Sequence, residues 1–275
     1  MMLRRIGLGL LGTLLAFATA ASAQSGQYPI FDAHIHYSQP AWDSYTPERI
    51  LSILAQAGVR RAIVSSTPDE GTLKLYDKAP KGIVPFLRPY RTRDDMGSWP
   101  RDLAVAAYVE ERLKRGIYKG IGEVHFGVAD VDAPVVKRFA ELAQDGGLFL
   151  QCHIDDAALE AMLKRYPKTK MLWAHAGMWG TPATTQRLLD TYPTLWVELA
   201  LRTDVAPGGV LDPGWRAVFL KHPDRFMVGT DTWTTSRWES VGSSMRDVQV
   251  WLGQLPRDVA EQIAWKNGER LFPSP

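Results

Sequence analysis

One cysteine in 275 residues, Cys152, cannot close an internal disulfide, so the fold must draw its stability from a packed core. An excess of charge is also missing. The chain carries 32 Lys and Arg against 30 Asp and Glu, and the two surplus positives are Arg4 and Arg5 at its start. Residues 24–275 therefore balance 30 positive side chains against 30 negative, which removes the case for a basic nucleic-acid binder. A balanced charge together with 45% hydrophobic residues also argues against disorder. There is no repeat of fixed period, no low-complexity stretch and no Pro/Gly/Ser-rich linker, so nothing divides the chain into two domains.

The first feature present is a leader. Arg4-Arg5, an apolar run over 6–18 and the small-x-small ending Ala21-Ser22-Ala23 have the form of a secretory signal peptide cleaved after Ala23. The run is shorter than the ~20 residues that span a bilayer, and no cysteine stands at the cleavage point, so no stable membrane anchor is expected. A signal peptide over 1–23 implies an exported protein, periplasmic or secreted, and the arginine pair leaves general secretory and twin-arginine export both open. Residues 24–275 then form a single domain of a length that suits one α/β barrel.

Eight short apolar runs follow, over 28–36, 61–66, 83–87, 120–126, 148–153, 170–175, 195–201 and 226–230. Their length and content suit buried parallel strands. Helical patterns fill the gaps. Thr46-Pro47-Glu48 and Thr181-Pro182 are helix starts, periodicity predicts helices over 99–115, 135–143, 157–165 and 215–221, and 69–77 carries a weaker pattern. Two more close the chain over 240–252 and 256–271. Strand and helix alternating eight times predict an α/β fold, a distorted (β/α)8 TIM barrel with a C-terminal closing helix. A doubly wound open sheet is the competitor, disfavoured because no G-x-G-x-x-G turn follows the first strand.

In a barrel, the C-terminal strand ends share one mouth and carry the chemistry. Here they hold five of the six histidines: His34 and His36 in FDAHIHY, His125 in GIGEVHF, His153 in QCHID and His175 in WAHAG. Glu123 lies beside His125, and Asp231 ends the eighth run in GTDTW. Residues i and i+2 of a strand share a face, so His34 and His36 can grip one ion. His34, His36, His153 and Asp231 supply a divalent-metal ligand set, with His175 within reach of a bound water or a substrate oxygen. Glu123 is a further candidate ligand, or, with His125, a group that orients one. Imidazoles and a carboxylate suit zinc first, then manganese or iron. Each piece has a bland reading, since a lone HxH or a single core histidine is ordinary. Together they would be costly buried groups in apolar strands without a common purpose. His222 precedes the eighth strand and is read as structural, and Cys152 points to the helix layer as a small buried hydrophobe.

FDAHIHY, GIGEVHF, His153, WAHAG and GTDTW in that order, with the ending LPRDVAEQIAWKNGERLF, resemble the amidohydrolase superfamily, in its amidohydrolase-related group of lactonases and metal-dependent decarboxylases. The resemblance covers residues 28–272 and implies a metal at the barrel mouth held by His34, His36, His153 and Asp231, with His175 polarising the substrate. Relatives with two metals often use a carboxylated lysine, and no lysine ends strand four here: Lys119 begins it and Glu123 stands at its far end, as the bridging glutamate does in TatD-like nucleases.

The expected activity is metal-assisted hydrolysis of a small ester, lactone, amide or related bond, with Asp231 as ligand and base and His175 stabilising the oxyanion. One metal ion or two remain alternatives. Arg88, Arg91 and Arg202 follow strands three and seven and are candidates to hold a substrate carboxylate. His125 and Trp233 are further candidate contacts, and Trp42, Trp99, Trp179, Trp233 and Trp238 fall in loops expected to wall the mouth. Two alternatives stand beside hydrolysis: non-oxidative decarboxylation of an aromatic or unsaturated acid at the same metal, and a non-catalytic exported metal-binding barrel. The expected partner is a small-molecule substrate.

Overall fold

A computed structural model describes residues 27–274. The leader expected over 1–23 lies outside the described residues. Eight strands pair in parallel in chain order: β1 Ile30–Ile35, β2 Val59–Val64, β3 Ile83–Leu87, β4 Gly120–His125, β5 Phe149–His153, β6 Lys170–Trp173, β7 Leu195–Glu198 and β8 Phe226–Met227. The helices between them are α1 Pro47–Gln56, α2 Glu70–Lys78, α3 Leu103–Leu113, α4 Pro134–Gly146, α5 Asp156–Arg165, α6 Pro182–Thr191, α7 Pro213–Lys221 and α8 Arg237–Leu252. This is the (β/α)8 barrel. None of the described helices is long and apolar enough to cross a membrane.

Local chemistry explains the helix starts. Thr46 and Thr181 cap α1 and α6 by accepting from the amides of Arg49 and Thr184, and each helix has proline in its first turn. Asp102, Asp155 and Asp212 cap α3, α5 and α7 in the same way. The Asp102 cap corrects one expectation: the helix predicted over 99–115 is split, because Asp102 takes an extended backbone between the 3-10 turn Trp99–Arg101 and α3.

Alternation along each strand sorts the interior. Val84, Phe86, Phe149, Leu172 and Met227 meet in the barrel lumen, while Leu87, Leu150, Cys152, Trp173 and Val197 pack outward against the helices. The same alternation sends Arg88, Glu198 and His153 inward at the mouth. In β1, both Phe31 and Ala33 below and His34 and His36 above face the lumen. The register irregularity between Asp32 and Ile35 accommodates that change of parity. The bottom is closed by α9 Arg257–Glu261, a π turn Gln262–Lys266 and α10 Asn267–Leu271, where one helix over 256–271 was expected. Phe272 then inserts beside Phe31, Phe86 and Phe149, with Arg61 donating to its carbonyl at 2.6 Å.

The seam between β8 and β1 is the distorted part. β8 is two residues long and meets β1 through a single bridge, Asp32 to Val228. Side chains reinforce it: the Thr230 hydroxyl donates to Asp32 at 2.7 Å, and the Asp231 amide donates to the His34 carbonyl at 2.7 Å. The seam thus sets Asp231 beside His34.

Candidate metal centre

The mouth gathers donor atoms around Glu123. Its Oε1 lies 3.5 Å from His34 Nε2, 3.4 Å from His175 Nε2 and 3.0 Å from His153 Nδ1. Its Oε2 lies 3.4 Å from His36 Nε2, 3.6 Å from His125 Nε2 and 3.0 Å from an Arg88 nitrogen. Asp231 Oδ1 comes within 3.5 Å of His36 Nε2 and 3.9 Å of His34 Nε2, which are themselves 3.0 Å apart. Three overlapping triads could each hold a cation: His34–His36–Glu123, His34–His175–Asp231 and Glu123–His125–His153. His153 therefore shares its triad with Glu123 and His125, not with the β1 pair.

Each inner imidazole is fixed from behind. His34 Nδ1 lies 2.8 Å from Glu198 Oε2, His36 Nδ1 meets the Ser65 carbonyl, and His175 Nδ1 lies 2.9 Å from the Ala200 carbonyl. An acceptor on every Nδ1 puts a proton there and turns the Nε2 lone pair of a neutral ring toward the centre, the arrangement of a ligating histidine. Glu198 also accepts from the His175 amide at 3.2 Å, so one carboxylate aligns two imidazoles. Ser65, Glu198 and Arg237, which holds Asp231 Oδ2 at 2.8 Å, were not among the residues anticipated from sequence. Glu198 was findable, because a carboxylate inside the apolar run LWVEL raises the same question as Glu123. The Ser65 carbonyl is backbone and leaves no sequence signal.

The electrostatics ask for a cation. Burial opposes charge on His34, yet the Glu123, Glu198 and Asp231 carboxylates more than reverse this and hold it well above the ordinary histidine value. Burial and the Arg88 charge bring His36 down to about 4. Burial, against the pull of Glu123, brings His125 down to about 3. Two atoms give a direct test of fit. His175 Nε2 and Asp231 Oδ1 are buried and have no hydrogen-bond partner, although both point into this cluster. Unpaired buried polar atoms are costly, and a divalent cation would satisfy both. The donor set fits such an ion.

The remaining candidates separate. Arg88 is fully buried against Glu123, with its guanidinium 4.5 Å from the Trp233 ring. Trp233 sits edge-on to His36, and Arg93 covers it at 4.6 Å. Arg91 is engaged by Asp95 and Asp102. Arg202 is engaged by Asp204 and by the carbonyls of His175, Ala176 and Gly180. Trp99 and Trp238 do not wall the mouth: Trp99 stacks on Phe139, and Trp238 is buried beside Tyr37 and Tyr45. Trp42 is half-buried on the Tyr37 carbonyl, and Trp179 stands exposed on the loop after β6.

The family model for amidohydrolases matches residues 31–274. The chain belongs to the amidohydrolase family. That membership makes it a metal-dependent hydrolase, and the triads above are residue groups that could bind the metal. Solved structures of this amidohydrolase fold include a putative 2-pyrone-4,6-dicarboxylic acid hydrolase from Pseudomonas putida, at 16% identity and TM-score 0.62, covering 89% of this chain and 97% of that one. A probable 2-pyrone-4,6-dicarboxylic acid hydrolase from Acinetobacter baumannii, with citric acid bound, matches at 11% identity and TM-score 0.56 over 89% and 99%. A TatD homologue from Escherichia coli matches at 19% identity and TM-score 0.65 over 91% and 100%. No curated protein matches in sequence.

Proposed function

We propose that the chain hydrolyses a small ester, lactone or amide that carries a carboxylate, using a divalent metal, zinc in the first instance, held by His34, His36 and Asp231 with Glu123 and His175 alongside. The observation that carries this reading is the pair of unpartnered buried atoms, Asp231 Oδ1 and His175 Nε2, facing the same cluster of ligand-ready imidazoles. A divalent cation there supplies Lewis acidity and lowers the pKa of water from 15.7 toward ~7. Asp231 Oδ1 takes a proton from the attacking water and later gives it to the leaving atom, while Arg237 keeps Oδ2 oriented. His175 Nε2 would hold the cation beside Asp231, and Glu198 behind it keeps the ring in register with His34. The exposed Arg93 guanidinium has no ion-pair partner among the described residues and is stacked on Trp233 beside His36, a suitable grip for a substrate carboxylate. The names of two neighbours, hydrolases of a dicarboxylic acid, agree with an acidic substrate. Export through the leader over 1–23 belongs to the same proposal.

The test is turnover of a panel of carboxylated lactones, esters and amides by zinc-loaded protein in oxygen-18 water. One labelled oxygen in the newly formed carboxylate and loss of turnover on chelation are expected. Carbon dioxide release with no labelled oxygen in the organic product would favour decarboxylation, and no turnover of any kind a binding role.

A further inference from the structure

Glu123 has a third kind of neighbour besides imidazoles and the space for a cation. Arg88 is 1% exposed, and its one carboxylate partner among the described residues is Glu123 Oε2 at 3.0 Å. Its other nitrogen lies 3.3 Å from His36 Nδ1 without a hydrogen bond, because that nitrogen donates to the Ser65 carbonyl; its plane faces Trp233 and Tyr90, and its Nε has no partner. A guanidinium cannot lose its proton, so this is a permanent positive charge built into the metal cluster. It sits on the side of Glu123 that faces His36 and His125.

The charge count decides what that does. The carboxylates buried around the imidazoles are Glu123, Glu198 and Asp231, three negative charges, and Arg88 is the one fully buried cation among them. Asp32 lies behind, in the seam, accepting from Thr230 and the His34 amide, and Arg237 meets Asp231 from the half-exposed side. Three negative charges, one guanidinium and one divalent cation sum to zero. A second divalent cation, at the partly exposed Glu123–His125–His153 triad, would meet the Arg88 guanidinium across the one Glu123 carboxylate and leave two uncompensated positive charges beside it.

We infer that Arg88 stands in for a second metal ion: its guanidinium neutralises Glu123 and restricts the centre to one divalent cation per chain, although the Glu123–His125–His153 triad has the donors for another. The inference rests on the metal reading of this site.

The test counts metal. Full-length protein stripped with a chelator is exposed to excess zinc chloride alone, desalted, and analysed for zinc per chain, with circular dichroism recorded on the same samples. Wild type is expected to hold one zinc, Arg88→Lys one and Arg88→Met two. Two zinc ions in wild type would overturn the inference whether or not any variant folds, as would one in an Arg88→Met protein with a native spectrum. No zinc in wild type would instead overturn the metal reading beneath it, so the two failures are distinguishable.

Discussion

At the scale of single residues, the mouth depends on backbone that only a few contacts hold in place. His175 and Asp231 both lie in the left-handed region, at φ 56° and 49°, which is unfavourable for side chains branching from an L-residue. Arg202 stabilises the first of these. Its guanidinium donates to the carbonyls of His175, Ala176 and Gly180 and is itself held by Asp204, which accepts from the Trp215 indole at 2.9 Å. Sequence position alone had suggested Arg202 as a grip for a substrate carboxylate, and the two roles separate by measurement. Replacing Arg202 with Met should cost about 3 kcal/mol in urea denaturation, because three buried carbonyls lose their charged donor. It should also lower kcat through His175. A substrate grip would instead raise KM and leave stability unchanged. Asp231→Asn probes the other strained residue. With zinc counted in each sample, its kcat/KM should fall by about 10²–10⁴, the range of a lost general base, and undiminished turnover with metal bound would remove Asp231 from that role.

At the scale of elements, the closing helix joins the bottom of the barrel to its lumen. A Cβ at Gly268 would lie 2.1 Å from Phe31 Cγ and within 2.5 Å of two more ring atoms, inside the lumen cluster that Phe272 plugs. Gly268→Ala gains about 1 kcal/mol of helix propensity, while overpacking a core costs ~1–3 kcal/mol, and a contact this short belongs at the upper end. A net loss of about 2 kcal/mol is expected from denaturant unfolding, and a more stable variant would show that Phe31 can move aside. That glycine also marks where the sequence was legible. Eight strands could be read because each is a compact apolar run, and the i, i+2 rule placed His34 with His36. The breaks were not: the π turn over Gln262–Lys266 and the parity change in β1 follow from tertiary packing, which local periodicity does not encode. Trp99 and Trp238 were misplaced for the same reason, since a loop position does not say whether a ring turns to the mouth or under the helices. Glu198 was legible in principle, by the same argument that found Glu123.

At the scale of the whole molecule, the single cysteine becomes a reporter on the metal. Cys152 is fully buried, packed outward against the helix layer, and burial pushes its thiol well above the usual value, so it is inert while the barrel is closed. It pairs with Val124 across the β4–β5 register, one residue from Glu123 on one side and from His153 on the other. An opening large enough to admit a thiol reagent must lift the helix layer off β4 and β5, the strands that carry those two side chains, and so loosens the cluster that holds the ion. Labelling and metal binding are therefore linked. A ligand that binds only the closed state suppresses opening by the factor 1 + [L]/Kd, about 100-fold and ~2.7 kcal/mol at a hundred times Kd. Labelling of the stripped protein by a chromogenic disulfide should be slow, and zinc at that concentration should slow it about 100-fold further. An unchanged rate in a protein that demonstrably binds zinc would mean that β5 opens without the centre. The barrel would then fail in parts instead of as one cooperative unit.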